Sequence, residues 1–319
     1  MPPLSLHPRL GAALRGARAD LSGPTATLAG TTVRADDESA LRHRMANTLY
    51  EVLHAGLAPD SGPRPRTLRD EAYERLLADA VPHRETALRI PAAHVTPAAG
   101  PELRTVLVEG VRTLVPATAV RDAGDGTAVL DYPCARPALS AGFFLVDGSA
   151  GTVPDGPVAR YYFHLEDADA APEAWGLLLR ALERRAPRYR AKVGSSRLLY
   201  PRRDAMVVYL DPRDADAADL PEVASRLPGL GRSTSVFGQE LAPGLATARE
   251  PSDARPGMRR MSFGQHRAYA VADGLLDHAR DGGSGAVDQT VARALMRAQA
   301  DPRAPWRNLP EGHRPGAEN

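Results

Sequence analysis

Between residues 158 and 210 the side-chain pattern changes from period two to period 3.6 and back again. That change restricts this stretch to a sheet with a helix packed against it. VARYYFHL (158–165) alternates and is aromatic, the pattern of a strand. APEAWGLLLRALERRA (171–186) has Pro in its first turn and apolar Trp175, Leu178, Leu179 and Leu182 at helical spacing. RYRAKV (188–193) reads as a short strand and DAMVVYL (204–210) as a strong one. Alternation then fixes the faces. Arg160, Tyr162 and His164 share one face of the first strand. Arg188, Arg190 and Lys192 share a face of the second, and Arg203, Val207 and Tyr209 a face of the third. Three adjacent strands of this kind present His, Lys, Tyr and several Arg to one cleft.

The rest of the chain divides around this unit. Asp36-Asp37-Glu38-Ser39 followed by ALRHRMANTLYEVLHAG predicts a capped helix ending at Gly56, and DEAYERLLADA (70–80) a second one. With the Pro/Gly loop APDSGPRPRT (58–67), these define a helical N-terminal region, 1–87. RTVLVEG, RTLVPATAV, TAVLDY and GFFLVDG, separated by DAGDG and DGSAG, predict a small β-rich middle segment, 88–150. GTVPDGP (151–157) is the expected boundary to the third region, 151–300. There a helix is expected over 214–227, strand and loop over 233–248, loop then helix over 262–281, and a last helix over 288–299. The polar, Pro-rich tail, 301–319, is expected to be disordered. The fold class is α+β, with a mixed or antiparallel sheet flanked by helices in the C-terminal part.

Composition narrows the function. Formal net charge is +1 and the sequence pI about 8.0, which does not suggest a nucleic-acid binder, and aromatics are only 5%. The single cysteine, Cys134, cannot form an intrachain disulfide or a cysteine metal site, and the nine histidines lack ligand spacing. No cofactor is implied. No stretch approaches the length of an apolar membrane span and the N-terminus lacks a continuous apolar core, so a cytoplasmic location is expected.

Of the 40 Lys and Arg residues only Lys192 is a lysine. Arginine does not release its proton in a protein, whereas lysine can when buried or crowded by other cations. A single retained lysine within an Arg-rich strand is therefore a candidate general base or Schiff-base amine. The surrounding arginines suit phosphate, which the planar guanidinium binds in bidentate fashion. SFGQHR (262–267) at a helix start adds amide N–H groups of the kind that hold anions. Each residue also has a structural reading: Tyr162 as packing, His164 as a satisfied strand histidine, and Arg202-Arg203 as a solvated turn.

VARYYFHL, the helix with Trp175, RYRAKV, RRDAMVVYL and SFGQHR together resemble the Hop-type effector family, whose members occur in bacterial peptide-modification clusters. The resemblance spans roughly 158–280, and ANTLYEVLHAG is similar to the family's N-terminal region. The order FH–L, then K-V, then an apolar strand ending in Tyr-Leu also resembles the bacterial phosphothreonine lyases, which remove phosphate by β-elimination. In thioamitide and class V lanthipeptide pathways such proteins work beside a separate kinase. The resemblance therefore implies a lyase-like C-terminal domain acting on a phosphorylated precursor peptide with a leader, and a Ser/Thr kinase as partner. The product would be dehydroalanine or dehydrobutyrine. Lys192 matches the base that takes the Cα proton, His164 the acid for the leaving group, and Tyr209 a pocket tyrosine. Arg202, Arg203 and Arg267 correspond to phosphate ligands, with Arg160 and Arg190 beside them. The lyases carry a second lysine two residues before the histidine. Here Tyr162 stands at that position, and either Tyr162 or Arg160 takes its part.

The chemistry suits these residue types independently. Abstracting a weakly acidic Cα proton needs a placed base and stabilisation of the enolate-like amide oxygen, and departing phosphate needs charge neutralisation. A different class of function, a non-catalytic scaffold binding the peptide or the kinase through the same cleft, fits the same pattern. No kinase motif is present, so a phosphopeptide would have to come from another protein.

Overall fold

The computed structural model describes residues 5–58, 69–153, 156–186, 188–258 and 261–310. Its centre is a six-stranded sheet of β1 (Phe143–Asp147), β2 (Ala159–Leu165), β3 (Arg190–Gly194), β4 (Arg202–Leu210), β5 (Gln239–Ala242) and β6 (Leu245–Arg249). The spatial order is β1-β3-β4-β2-β6-β5, and every neighbouring pair is antiparallel. The class is α+β.

Period-two patterning gives this sheet two apolar faces. On one, Val146, Tyr161, Phe163, Val193, Met206 and Val208 pack against the helix Ala171–Arg185, with Trp175, Leu178 and Leu179 fully buried. Each such side chain contributes roughly 1.5–3 kcal/mol of transfer free energy. On the other face Tyr162, Val207 and Ala248 meet Leu53, Phe263 and Leu275. Leu41, Met45 and Leu49 of the helix Glu38–Leu49 belong to this second core, as do Val291 and Leu295 of Val287–Arg297. The N-terminal region and the C-terminal helices thus cover one face of the sheet together.

Several elements differ from expectation. The first 87 residues are not all helical: Arg18–Asp20, Thr25–Leu28 and Thr31–Arg34 form a three-stranded sheet. These strands are too short and too rich in Ala and Thr to display a period. The helix from Glu38 does end at Gly56, whose φ of 75° closes it, but its last turn, Tyr50–Ala55, is a π-helix. The middle segment holds two three-stranded sheets around Ile90, Val106 and Leu130, whereas β1 joins the central sheet. The helix expected over 214–227 is two short ones, Ala215–Ala218 and Leu220–Ala224. Asp219 sits between them at φ 41° and caps the second. The tail expected to be disordered from 301 begins as a hairpin, Ala300–Asp301 with Ala304–Asn308, anchored by a buried arginine described below. The loop at 58–67 lies, from 59 onward, outside the described residues, as do 154–155 of the boundary loop and 311–319 of the tail. No helix among the described residues is long and apolar enough to cross a membrane.

Candidate active site

Strand register brings four of the expected residues to one opening. Arg190 on β3 lies opposite Tyr209 on β4, which lies opposite Arg160 on β2. One pair further along, Lys192 lies opposite Val207, which lies opposite Tyr162. Lys192, Arg190, Arg160 and Tyr209 line an open cleft of about 380 Å³, closed at its sides by Ser140, Thr152 and Glu250. Lys192 Nζ is 3.5 Å from Ser140 Oγ, 4.2 Å from the Phe143 ring centroid and 5.9 Å from that of Tyr209. Among the described residues it has no carboxylate partner.

The two cleft arginines are paired. Arg160 forks onto both oxygens of Glu250, with Nη2 to Oε1 at 2.5 Å, and lies over the Tyr209 ring at 5.1 Å. Burial works against its charge, but Tyr162, Tyr209 and Glu250 outweigh burial and raise its pKa. Arg190 donates to Asp147 from Nε at 2.6 Å and Nη2 at 3.2 Å, and Arg136 shares that carboxylate at 3.3 Å. Tyr162 is buried, and among the described residues its hydroxyl has no partner of good hydrogen-bond geometry. It shares the sheet face of the cleft but is not in its lining.

A register shift between Phe163 and Leu165 marks the end of the regular pairing, and His164, Arg202 and Arg203 lie there. Arg202 turns inward, donating from Nε to Asp204 Oδ1 at 2.7 Å and from Nη2 to Asp204 Oδ2 and to the Tyr50 hydroxyl, both at 2.9 Å. Tyr50 in turn donates to Asp204 Oδ2 at 2.9 Å. His54 lies 3.8 Å from the same carboxylate and bonds Ser235 Oγ through Nδ1 at 2.8 Å. Burial pushes the His54 pKa down to about 4, overriding the opposite pull of Asp204. Ser235, His54 and Asp204 have the composition of a nucleophilic triad, but all three are buried beyond substrate reach.

His164 occupies the shifted stretch of β2. Its backbone N–H donates to Gly244 O at 2.9 Å, and its Nδ1 meets Ser233 Oγ at 3.2 Å. Arg203 Nε donates to the same hydroxyl at 3.2 Å, and its Nη1 to Val52 O at 3.3 Å. Burial lowers the His164 pKa, with Glu166 pulling it up and Arg203 down. His164 and Arg203 are therefore neighbours, but neither lines the Lys192 cleft.

Arg267 is not available to phosphate. It is fully buried and donates to Pro305 O at 2.6 Å, Arg307 O at 3.2 Å and Asn308 Oδ1 at 3.0 Å. Its Nη1 also bonds His266 Nδ1 at 2.6 Å. Burial lowers its pKa to about 10. The preceding Ser262 and Gln265 form a capping box, so the helix amide expected to face an anion is already satisfied by a side chain.

Residues 134–307 match the HopA1 effector protein family. The chain belongs to that family. Two solved effector proteins are similar to it. One, from Pseudomonas syringae pv. syringae strain 61, is 16% identical at a TM-score of 0.44, covering 84% of this chain and 97% of that one. The other, from Pseudomonas syringae pv. tomato strain DC3000, is 15% identical at 0.44, covering 84% and 96%. No curated protein matches the chain.

In this HopA1-family chain the sequence signal missed the residues that hold the cationic cleft together. Glu250, Asp147 and Ser140 come from the ends of strands or from a loop, where no period marks them. Asp204 was legible only as the first residue of a strand. Its partners Tyr50 and His54 lie some 150 residues away and show only in three dimensions.

Proposed function

We propose that this chain is a phosphoserine/phosphothreonine lyase acting on a ribosomal precursor peptide that a separate kinase has phosphorylated. Lys192 Nζ takes the Cα proton. The released electron pair forms the Cα=Cβ bond, the Cβ–O bond breaks, and phosphate departs with its bonding pair to leave dehydroalanine or dehydrobutyrine. Arg160 and Arg190 meet the phosphate charge, exchanging contacts with Glu250 and Asp147 as they do so. The hydroxyls of Tyr209 and Ser140 are the donors within the cleft for the enolate-like amide oxygen. The supporting observation is the position of the sole lysine: it is the cleft cation with no carboxylate partner among the described residues, and it shares the cleft with two arginines that are paired. His164 has no step in this scheme, because it bonds Ser233 outside the cleft.

Separation of His164 from Lys192 favours a second reading, a non-catalytic scaffold that binds the peptide or the kinase. One assay separates the two. Purified protein incubated with a synthetic phosphoserine peptide should release phosphate and leave the dehydrated peptide, seen by mass spectrometry. Binding without mass loss supports the scaffold. A lyase of this kind depends on its kinase for substrate, and holding the two together raises the local concentration of the intermediate. Co-purification of the two proteins, with and without precursor, tests that partnership.

A further inference from the structure

A groove of about 410 Å³ adjoins the Lys192 cleft, and Thr152 and Val153 line both. One wall is the strand Glu85–Pro91 at Ala87, Leu88 and Arg89, and Arg188 lies at the other side. Among the described residues this strand is the edge of its sheet and pairs only with Thr127–Pro133. In an antiparallel pair the backbone groups alternate between facing the partner and facing away. Ala87 faces away: its N–H donates to Ser149 O at 2.9 Å. Arg89, two residues on, then also turns its N–H and C=O away from the partner strand, into the groove. A free pair of backbone groups on a sheet edge is a template for another strand. The opposite wall comes very close at Gly151, where a Cβ would lie 2.7 Å from Ala87 O. Beyond that contact the space opens.

We propose that this groove binds the phosphopeptide as an added strand beside Arg89, receiving residues on one side of the phosphorylated residue. The proposal rests on the phosphopeptide reading of the Lys192 cleft. Arg188 and Lys192 are four residues apart, at most about 13 Å of extended chain, so an extended ligand spans both with roughly three to five residues. Arg89 is already held by Asp125, whereas exposed Arg188 has no carboxylate partner among the described residues. The groove therefore selects Asp or Glu at about that distance from the phosphoresidue.

The test compares synthetic phosphoserine peptides on the full-length protein. One has a single residue on each side, and others carry an acidic flank of six residues on either side. A further pair has the same flanks with N-methylated backbone. Elimination kinetics by mass spectrometry and binding by fluorescence anisotropy are read for each. The expected result is a KM about tenfold lower for one acidic-flank peptide than for the short one at similar kcat, with the gain lost on N-methylation. Arg188→Glu, an exposed change, should reverse the preference from an acidic to a basic flank. Equal KM and affinity for short and long peptides, or an unchanged flank preference in Arg188→Glu, would overturn the groove assignment while elimination continues. If no peptide is eliminated, the lyase reading fails, and the anisotropy series still decides the groove.

Discussion

Replacing Asp204 by Asn isolates the buried network that ties the π-helical turn Tyr50–Ala55 to the central sheet. The side chains of Asp204 and Arg202 are both 6% exposed, and two hydrogen bonds join them, at 2.7 and 2.9 Å. The amide keeps the volume but removes the charge, leaving the Arg202 guanidinium buried without a counter-charge. Breaking a buried pair from one side costs about 3–5 kcal/mol. That is a large share of the roughly 5–15 kcal/mol by which a folded protein is stable. Burial alone would raise the Asp204 carboxyl. The Arg202 charge and hydrogen bonds, with His54 and Tyr50, instead hold it well below the usual carboxylate range. Because the folded-state value is depressed, this stabilisation is complete above the unfolded carboxyl pKa of about 3.9 and is lost only as pH falls through the folded value. At pH 7 the full cost should therefore appear. Urea unfolding followed by circular dichroism would measure it in wild type, Asp204→Asn and the double variant Arg202→Met/Asp204→Leu. The double variant removes both charges and should recover most of the loss. A single-variant cost below about 1 kcal/mol, or a double variant no more stable than the single, would refute the reasoning.

Lys192→Arg keeps the charge but should lower phosphopeptide elimination at least about a hundredfold, since guanidinium is not a base; near-normal turnover would remove Lys192 from the mechanism. His164→Asn should leave the elimination rate within about threefold, well below the loss expected on removing a general acid; a much larger drop in single-turnover rate would return His164 to the chemistry. Arg267→Ala should lower stability by about 3 kcal/mol or more, because it strands the carbonyls of the 300–308 hairpin; a folded variant with weakened phosphopeptide affinity would contradict its structural role. Burial lowers both His54 and His266 to about 4 from 6.5, so the unfolded chain takes up their protons first. Stability should then fall between pH 6.5 and 4 by about 1.4 kcal/mol per pH unit for each histidine. An unchanged urea midpoint between pH 7 and pH 5 would show that these histidines are not held neutral.

Periodicity alone determined the central strands and the helix against them. A strand with one buried face must alternate, and a helix burying Trp175, Leu178 and Leu182 must repeat at 3.6. The same alternation placed Lys192, Arg190, Arg160 and Tyr209 on one surface, because unbroken antiparallel register carries side-chain parity across neighbouring strands. His164 and Arg203 sit at the register shift beside Phe163, held by the Ser233 hydroxyl outside the cleft, and the inward turn of Arg202 to Asp204 and Tyr50 has no sequence signal. The burial of Arg267 has none either, since a helix-start motif does not show whether the following side chain meets solvent or a folded tail. Which charges are free was also decided only in three dimensions. Glu250 and Asp147 reach Arg160 and Arg190 from positions 90 and 43 residues away, leaving Lys192 as the cleft cation with no carboxylate partner among the described residues. Composition singled out one lysine, and tertiary packing determined which neighbours it kept, because ion pairing depends on distance through space and not on order along the chain.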